Sequence, residues 1–205
     1  MSGKIYLYPL WVRLWHAVNA ILIILLIISG ISMQYTNPEN PFIRFDIAVT
    51  MHNISGILLT VNYLSFLIGN FLTPNGLYYK ITFKGLITRL FAQFKYYILG
   101  IFKHEKPPFP VTKESKFNPL QQFTYVVAMY ILVPVVFITG WALLYPEFVL
   151  TKILGGSGLK INDFIHVIIG FFLSFFMLIH IYFCTIGATF VSNFKSMITG
   201  FHESH

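Results

Sequence analysis

The sequence predicts an all-α integral membrane protein, a four-helix bundle with an additional amphipathic interfacial helix in one long loop. Three observations carry that expectation. Of the 205 residues, 56% are hydrophobic and only 10% are charged, far from the balance of a soluble domain. Four windows, about 10–34, 46–71, 119–145 and 161–190, are apolar for long enough to span a bilayer. The basic residues are segregated, with Lys80, Lys84, Arg89, Lys95, Lys103, Lys106, Lys113 and Lys116 in the loop between the second and third windows. Lys4, Arg13 and Lys195 fall on the same side, and only Arg44, Lys152 and Lys160 on the other. The positive-inside rule then puts both termini and the long loop in the cytoplasm. A net charge of +7 distributed in this way marks membrane orientation and not a nucleic-acid surface. Residues 1–205 read as a single domain.

The first span opens after Pro9, which suits a first helical turn, and carries Trp11, Arg13 and Trp15 as interfacial anchors. Its apolar run is too long for a leader peptide and no small-residue cleavage site follows, so it is taken as retained. YTNPENPFIRF is a short outer loop, and the second span starts near Asp46. In the inner loop, residues 83–102 alternate Lys or Arg with Leu, Ile and Phe at helical spacing, as a helix lying at the interface would. Asn118 and Pro119 read as cap and first position of the third span, which contains Pro134 and Gly140 but no histidine and is expected to complete the bundle without binding anything. Asn162 and Asp163 are candidate caps of the fourth span, and the tail beyond Asn193 reads as short and polar.

Four histidines lie within these spans. His166 and His180 share the fourth, fourteen residues apart, which on a helix leaves them within about 40° of one face and ~21 Å apart along the axis. Following the direction of each span, His16 and His180 fall at the inner level, His52 and His166 at the outer one. Polar side chains in lipid are costly and usually functional. Two facing imidazoles at each level suit the two axial positions of a haem iron, which then has no vacant site for substrate and passes electrons. A lipid-soluble quinone is the natural partner at the inner end, with the loop helix as a wall of its pocket. Asn118 and Gln121 are polar candidates there and read equally as capping residues. Gly30, Gly56 and Gly170 fall near the outer histidines. Gly30 reads equally as room for a flat group and as the fraying end of its helix.

Other readings use the same residues. A lone interfacial histidine is commonly just hydrogen bonded, and zinc fits poorly because Asp46 and Asp163 are the only nearby carboxylates. Lone Cys184 gives neither a disulfide nor a CxxCH attachment for covalent haem and reads as a small core residue. His104, His202 and His205 lie in polar segments and read as solvated. From a different class, a small transporter could relay protons through the intramembrane histidines. A stand-alone transmembrane haem reductase is a third possibility.

YPLWVRLWHAVNAIL, VTMHNISGILLTVNYL and the spaced pair His166 and His180 resemble the membrane di-haem cytochrome b subunits of formate dehydrogenase gamma, nickel-iron hydrogenase and thiosulfate reductase type. The resemblance covers nearly the whole chain. It implies two haem b groups, one on His16 and His180 and the other on His52 and His166. It further implies menaquinone or ubiquinone near the cytoplasmic haem, a periplasmic iron-sulfur or multihaem cytochrome partner, and a place in a bacterial cytoplasmic membrane. The chain would then be an electron-transfer subunit, with the terminal chemistry in another subunit. A fifth span, present in hydrogenase-type members, is absent from the pattern.

Overall fold

A computed structural model describes residues 4–37, 39–149, 151–153, 156–187 and 189–203. In chain order the elements are β1 (Lys4–Tyr6), α1 (Leu10–Tyr35), α2 (Phe45–Leu72), a 3-10 turn (Pro74–Tyr79) and α3 (Leu86–Lys95). There follow α4 (Pro119–Leu144), β2 (Lys152–Ile153), β3 (Gly156–Ser157), α5 (Gly158–Cys184), α6 (Ser192–Thr199) and β4 (Phe201–Glu203). The helices α1, α2, α4 and α5 are long and apolar enough to cross a membrane. The chain is thus helical with four candidate spans, in the class the sequence predicts.

β1 pairs antiparallel with β4, Ile5 opposite His202, and the Lys116 ammonium of the long loop lies 4.5 Å from the centre of the Tyr8 ring. These contacts gather both described chain ends and the long loop at one end of the bundle, here the terminal end. The loops joining α1 to α2 and α4 to α5 form the distal end.

The four spans pack as two halves, α1 along α2 and α4 along α5. In the first half, Trp15 Nε1 donates to the Asn62 carbonyl at 3.0 Å and Asn62 Nδ2 donates back to the Trp15 carbonyl at 3.3 Å. The indole also stacks on Phe66, with ring centres 4.5 Å apart. The halves meet at a small core of Tyr63, Phe66 and Val133. A second tie is Trp141 Nε1, which donates to Thr60 Oγ1 at 3.2 Å.

Within α4, residues Ala128–Leu132 form a π turn, and Pro134 explains it. Proline has no N–H and its ring clashes with the carbonyl one turn back, so the ladder shifts register locally. In that wider register the Met129 carbonyl would be served by residue 134, which has no proton to give. Tyr63 Oη donates to the Met129 carbonyl instead, at 2.7 Å. Tyr63→Phe leaves that carbonyl without a partner and is expected to cost about 1 kcal/mol of stability, read as a lower denaturation midpoint in mild detergent.

Several boundaries differ from the sequence expectation. α5 opens at Gly158 directly after the short β2–β3 pair, and Asn162, instead of capping it, donates from Nδ2 to the Thr139 carbonyl at 3.0 Å. α5 also stops at Cys184, where Asn193 Nδ2 donates to the Cys184 and Ile186 carbonyls at 3.3 and 3.1 Å. The segment beyond Asn193 is not a simple polar tail, because it contains most of α6 and all of β4. α3 forms within the expected interfacial segment and runs on as a π turn over Tyr96–Gly100. The π turn docks on the bundle: the Tyr97 ring packs at a tilt against Phe183 of α5 with centres 4.4 Å apart, and its hydroxyl accepts from Asn118 Nδ2 at 2.7 Å.

Candidate functional site

The lengths and directions of the spans bring the four intramembrane histidines together as two couples. Near the terminal end, His16 of α1 faces His180 of α5 with ring centres 6.1 Å apart and planes crossing at 54°. Towards the distal end, His52 of α2 faces His166 of α5 at 6.2 Å and 72°. Each couple therefore joins one half of the bundle to the other.

Both spacings fit a shared metal. A metal–imidazole bond of about 2 Å places the metal roughly 3 Å from the ring centre, so two rings on opposite sides of one metal have centres about 6 Å apart. There is also room beside the rings. A Cβ built on Gly170, one turn beyond His166 on the same face of α5, would meet nothing within 4 Å, and one on Gly56, one turn beyond His52, would meet only a Leu26 methyl at 4.0 Å. A flat group can approach the helix backbones there. Gly30 does something else: its backbone faces the His52 ring, 3.5 Å from a built Cβ to Cε1.

The distal couple is seated by hydroxyls on neighbouring helices. Ser29 Oγ lies 3.0 Å from His52 Nδ1, and Thr139 Oγ1 lies 3.0 Å from His166 Nδ1. Each hydroxyl has one proton and its own helix takes it: Ser29 donates to the Leu25 carbonyl at 2.6 Å, Thr139 to the Val135 carbonyl at 2.8 Å. The oxygen must therefore accept from the ring, which puts the proton on Nδ1 and leaves the Nε2 lone pair free for a metal. A glycine follows each hydroxyl. At Gly140 a Cβ would come within 3.0 Å of His166 Cε1, so a larger residue there would push the ring away.

The terminal couple is held differently. Tyr125 Oη of α4 lies 3.3 Å from His180 Nδ1, and the Phe176 ring stacks on the His180 ring with centres 6.1 Å apart. The thiol of Cys184, one turn on from His180, sits 3.7 Å from Nε2, a weak sulfur contact. Among the described residues His16 has no hydrogen-bond partner, and its ring stands 6.4 Å from that of Trp15.

Ser29, Thr139, Tyr125 and Gly140 were not among the residues singled out from the sequence for this site. α4 supplies three of them, so the third span does more than complete the bundle. The signal was present as a repeated Ile-Ser/Thr-Gly, Ile28 to Gly30 in α1 and Ile138 to Gly140 in α4.

The quinone candidates Asn118 and Gln121 are occupied with each other. Asn118 Oδ1 accepts from the Gln121 amide at 2.9 Å and Gln121 Oε1 accepts from the Asn118 amide at 3.2 Å, a reciprocal capping box that opens α4. His104 is exposed in the long loop and His202 lies in β4, whereas His205 falls outside the described residues. Among the described residues no three His, Cys, Asp or Glu side chains gather as a metal cluster. Asp46 is engaged by Arg44 at 2.9 Å.

Comparison with known proteins agrees with this architecture. Residues 7–200 match the family described as prokaryotic cytochrome b561. A protein of Escherichia coli (strain K12) named "Putative cytochrome YdhU" is 39% identical over 200 residues, an alignment covering 98% of this chain and 75% of that protein. No solved structure matches the chain.

Proposed function

Since the chain belongs to the prokaryotic cytochrome b561 family, integral membrane proteins that transfer electrons through haem b, we propose that it carries two such haems, His16 with His180 holding one and His52 with His166 the other. The observation that carries this reading is the meeting of four intramembrane imidazoles as two couples, 6.1 and 6.2 Å between ring centres. A haem held by both imidazoles of a couple would supply one-electron transfer and would offer no vacant site to a substrate.

The protein's part is to fix and insulate. Ser29 and Thr139 hold Nδ1 of the two distal rings and leave their Nε2 lone pairs for the iron, and Tyr125 contacts Nδ1 of His180. The positive charge of the long loop supports a cytoplasmic terminal end. Menaquinone or ubiquinone exchanges electrons at that end, beside α3. A periplasmic iron-sulfur or multihaem subunit receives or delivers them at the distal end, and the chemistry of the final substrate resides there.

The test is anaerobic addition of a menaquinol or ubiquinol analogue to the chain purified in mild detergent. The expected result is reduction of bound haem by the quinol, followed by reoxidation through a co-purifying periplasmic subunit. Haem that no quinol reduces, in protein whose haem dithionite does reduce, would remove the quinone from the reading. A chain that passes electrons to soluble acceptors with no partner attached would instead be a stand-alone reductase.

A smaller effect tests the hydroxyl seats. Ser29→Ala and Thr139→Val are each expected to weaken retention of the distal haem by about tenfold, the low end for loss of a ligand's supporting hydrogen bond. Haem-release rates resolved by spectrum check this, and the terminal haem should be unaffected.

A further inference from the structure

Lys116 is among the most buried side chains of the protein, with only 3% of its surface exposed, although it carries an ammonium. Three aromatic rings surround it: the Tyr8 ring centre lies 4.5 Å from Nζ, those of Tyr78 and Phe117 5.5 Å. Its hydrogen bond runs to Asn75 Oδ1 at 3.1 Å. Asn75 is itself buried and fixed, its Nδ2 donating to Asn70 Oδ1 at 2.7 Å. Among the described residues no acidic side chain pairs with this ammonium, and burial pulls Lys116 down to about 8. Ring faces and one neutral amide compensate an ammonium only in part, and among the described residues Asn75 Oδ1 is its one hydrogen-bond acceptor.

This box adjoins the terminal histidine couple. The Phe117 ring lies 5.0 Å from that of Tyr125, whose hydroxyl reaches His180 Nδ1 at 3.3 Å. The ammonium is also within electrostatic reach of His16. An anion brought to this place by a group seated between His16 and His180 would complete the box. A b-type haem bears two propionate carboxylates on one edge of its ring, and a carboxylate on a buried ammonium makes a strong, charge-assisted hydrogen bond.

We infer that Lys116 is the cation that binds the propionate carboxylates of the haem held by His16 and His180. The inference rests on the two-couple reading above. Asn75 and the three rings hold the ammonium in place, and the lysine joins the long loop to the cofactor.

The experiment titrates the full chain, freed of haem in detergent and with the distal site removed by His166→Ala, against haem b and against its dimethyl ester, which lacks the negative charges. Expected for Lys116→Met is binding of haem b weakened by about tenfold or more, the size of one hydrogen bond to a charged group. Ester binding should stay unchanged, and Lys116→Arg should keep most of the affinity for haem b. In the loaded protein, Lys116→Met should also shift the midpoint potential of the terminal haem downward and leave the distal one in place. Equal weakening for both porphyrins would make Lys116 a packing residue and overturn the inference. Unchanged haem binding with a raised KM for quinol would assign the lysine to quinone and overturn it as well. If Lys116→Met does not fold, the parent with lysine intact decides: weaker binding of the ester than of haem b supports the inference, equal binding sinks it. Failure of that parent to bind either porphyrin contradicts the two-couple reading itself, and is thereby distinct from failure of the lysine.

Discussion

His180→Ala is expected to lower the haem content from two to one per chain and to abolish reduction by quinol. Among the described residues His180 and His16 are the two imidazoles of the terminal couple, 6.1 Å apart, and alanine leaves a ligand-free gap that neither Tyr125 nor Cys184 fills at neutral pH. A phenol and a thiol are protonated at that pH, and the ionised forms are the ligands. The distal haem keeps both imidazoles, so its reduced alpha band should persist after dithionite. Since quinone exchange is proposed at the terminal end, that remaining haem should stay oxidised when quinol is added. Spectra of the purified variant after quinol and then dithionite give both results.

His166→Ala is expected to halve the haem content as well, with the opposite functional outcome. The terminal haem remains and quinol still reduces it, at close to the parental extent. Transfer to an acceptor on the distal side falls to background, because the step between the two levels is gone. The two variants form a crossed pair: each loses one haem, but only one loses quinol reduction. If a single replacement stripped both haems from a folded chain, the couples would not be independent, and the assignment of one haem to each level would fail.

The four spans were legible in the sequence because length and apolarity suffice to mark them. The π turn in α4 was not. Pro134 announces a disturbance, but whether it becomes a kink or a π turn depends on who serves the freed carbonyl, and Tyr63 is 66 residues away. Asn118 and Gln121 illustrate the opposite case. Their spacing and the following proline spell a helix start, and a helix start is what they form.

The histidines stood out because imidazoles are rare in lipid, whereas Ser29 and Thr139 are ordinary residues of membrane helices. Their meaning depends on how α1 is turned towards α2 and α4 towards α5, a rotation that periodicity alone leaves open. α6 was missed for a related reason. The apolar run continues to about 190, and the stop at Cys184 is set from downstream by the Asn193 side chain.

The most direct measurement is the ratio of haem b to protein in the purified, haem-supplied chain, with the ferric spectrum taken on the same sample. Two low-spin haems per chain are expected, both lost when His180→Ala and His166→Ala are combined. A ratio of one or zero in the intact chain, or haem that survives the combined replacement, would contradict the pairing of His16 with His180 and of His52 with His166.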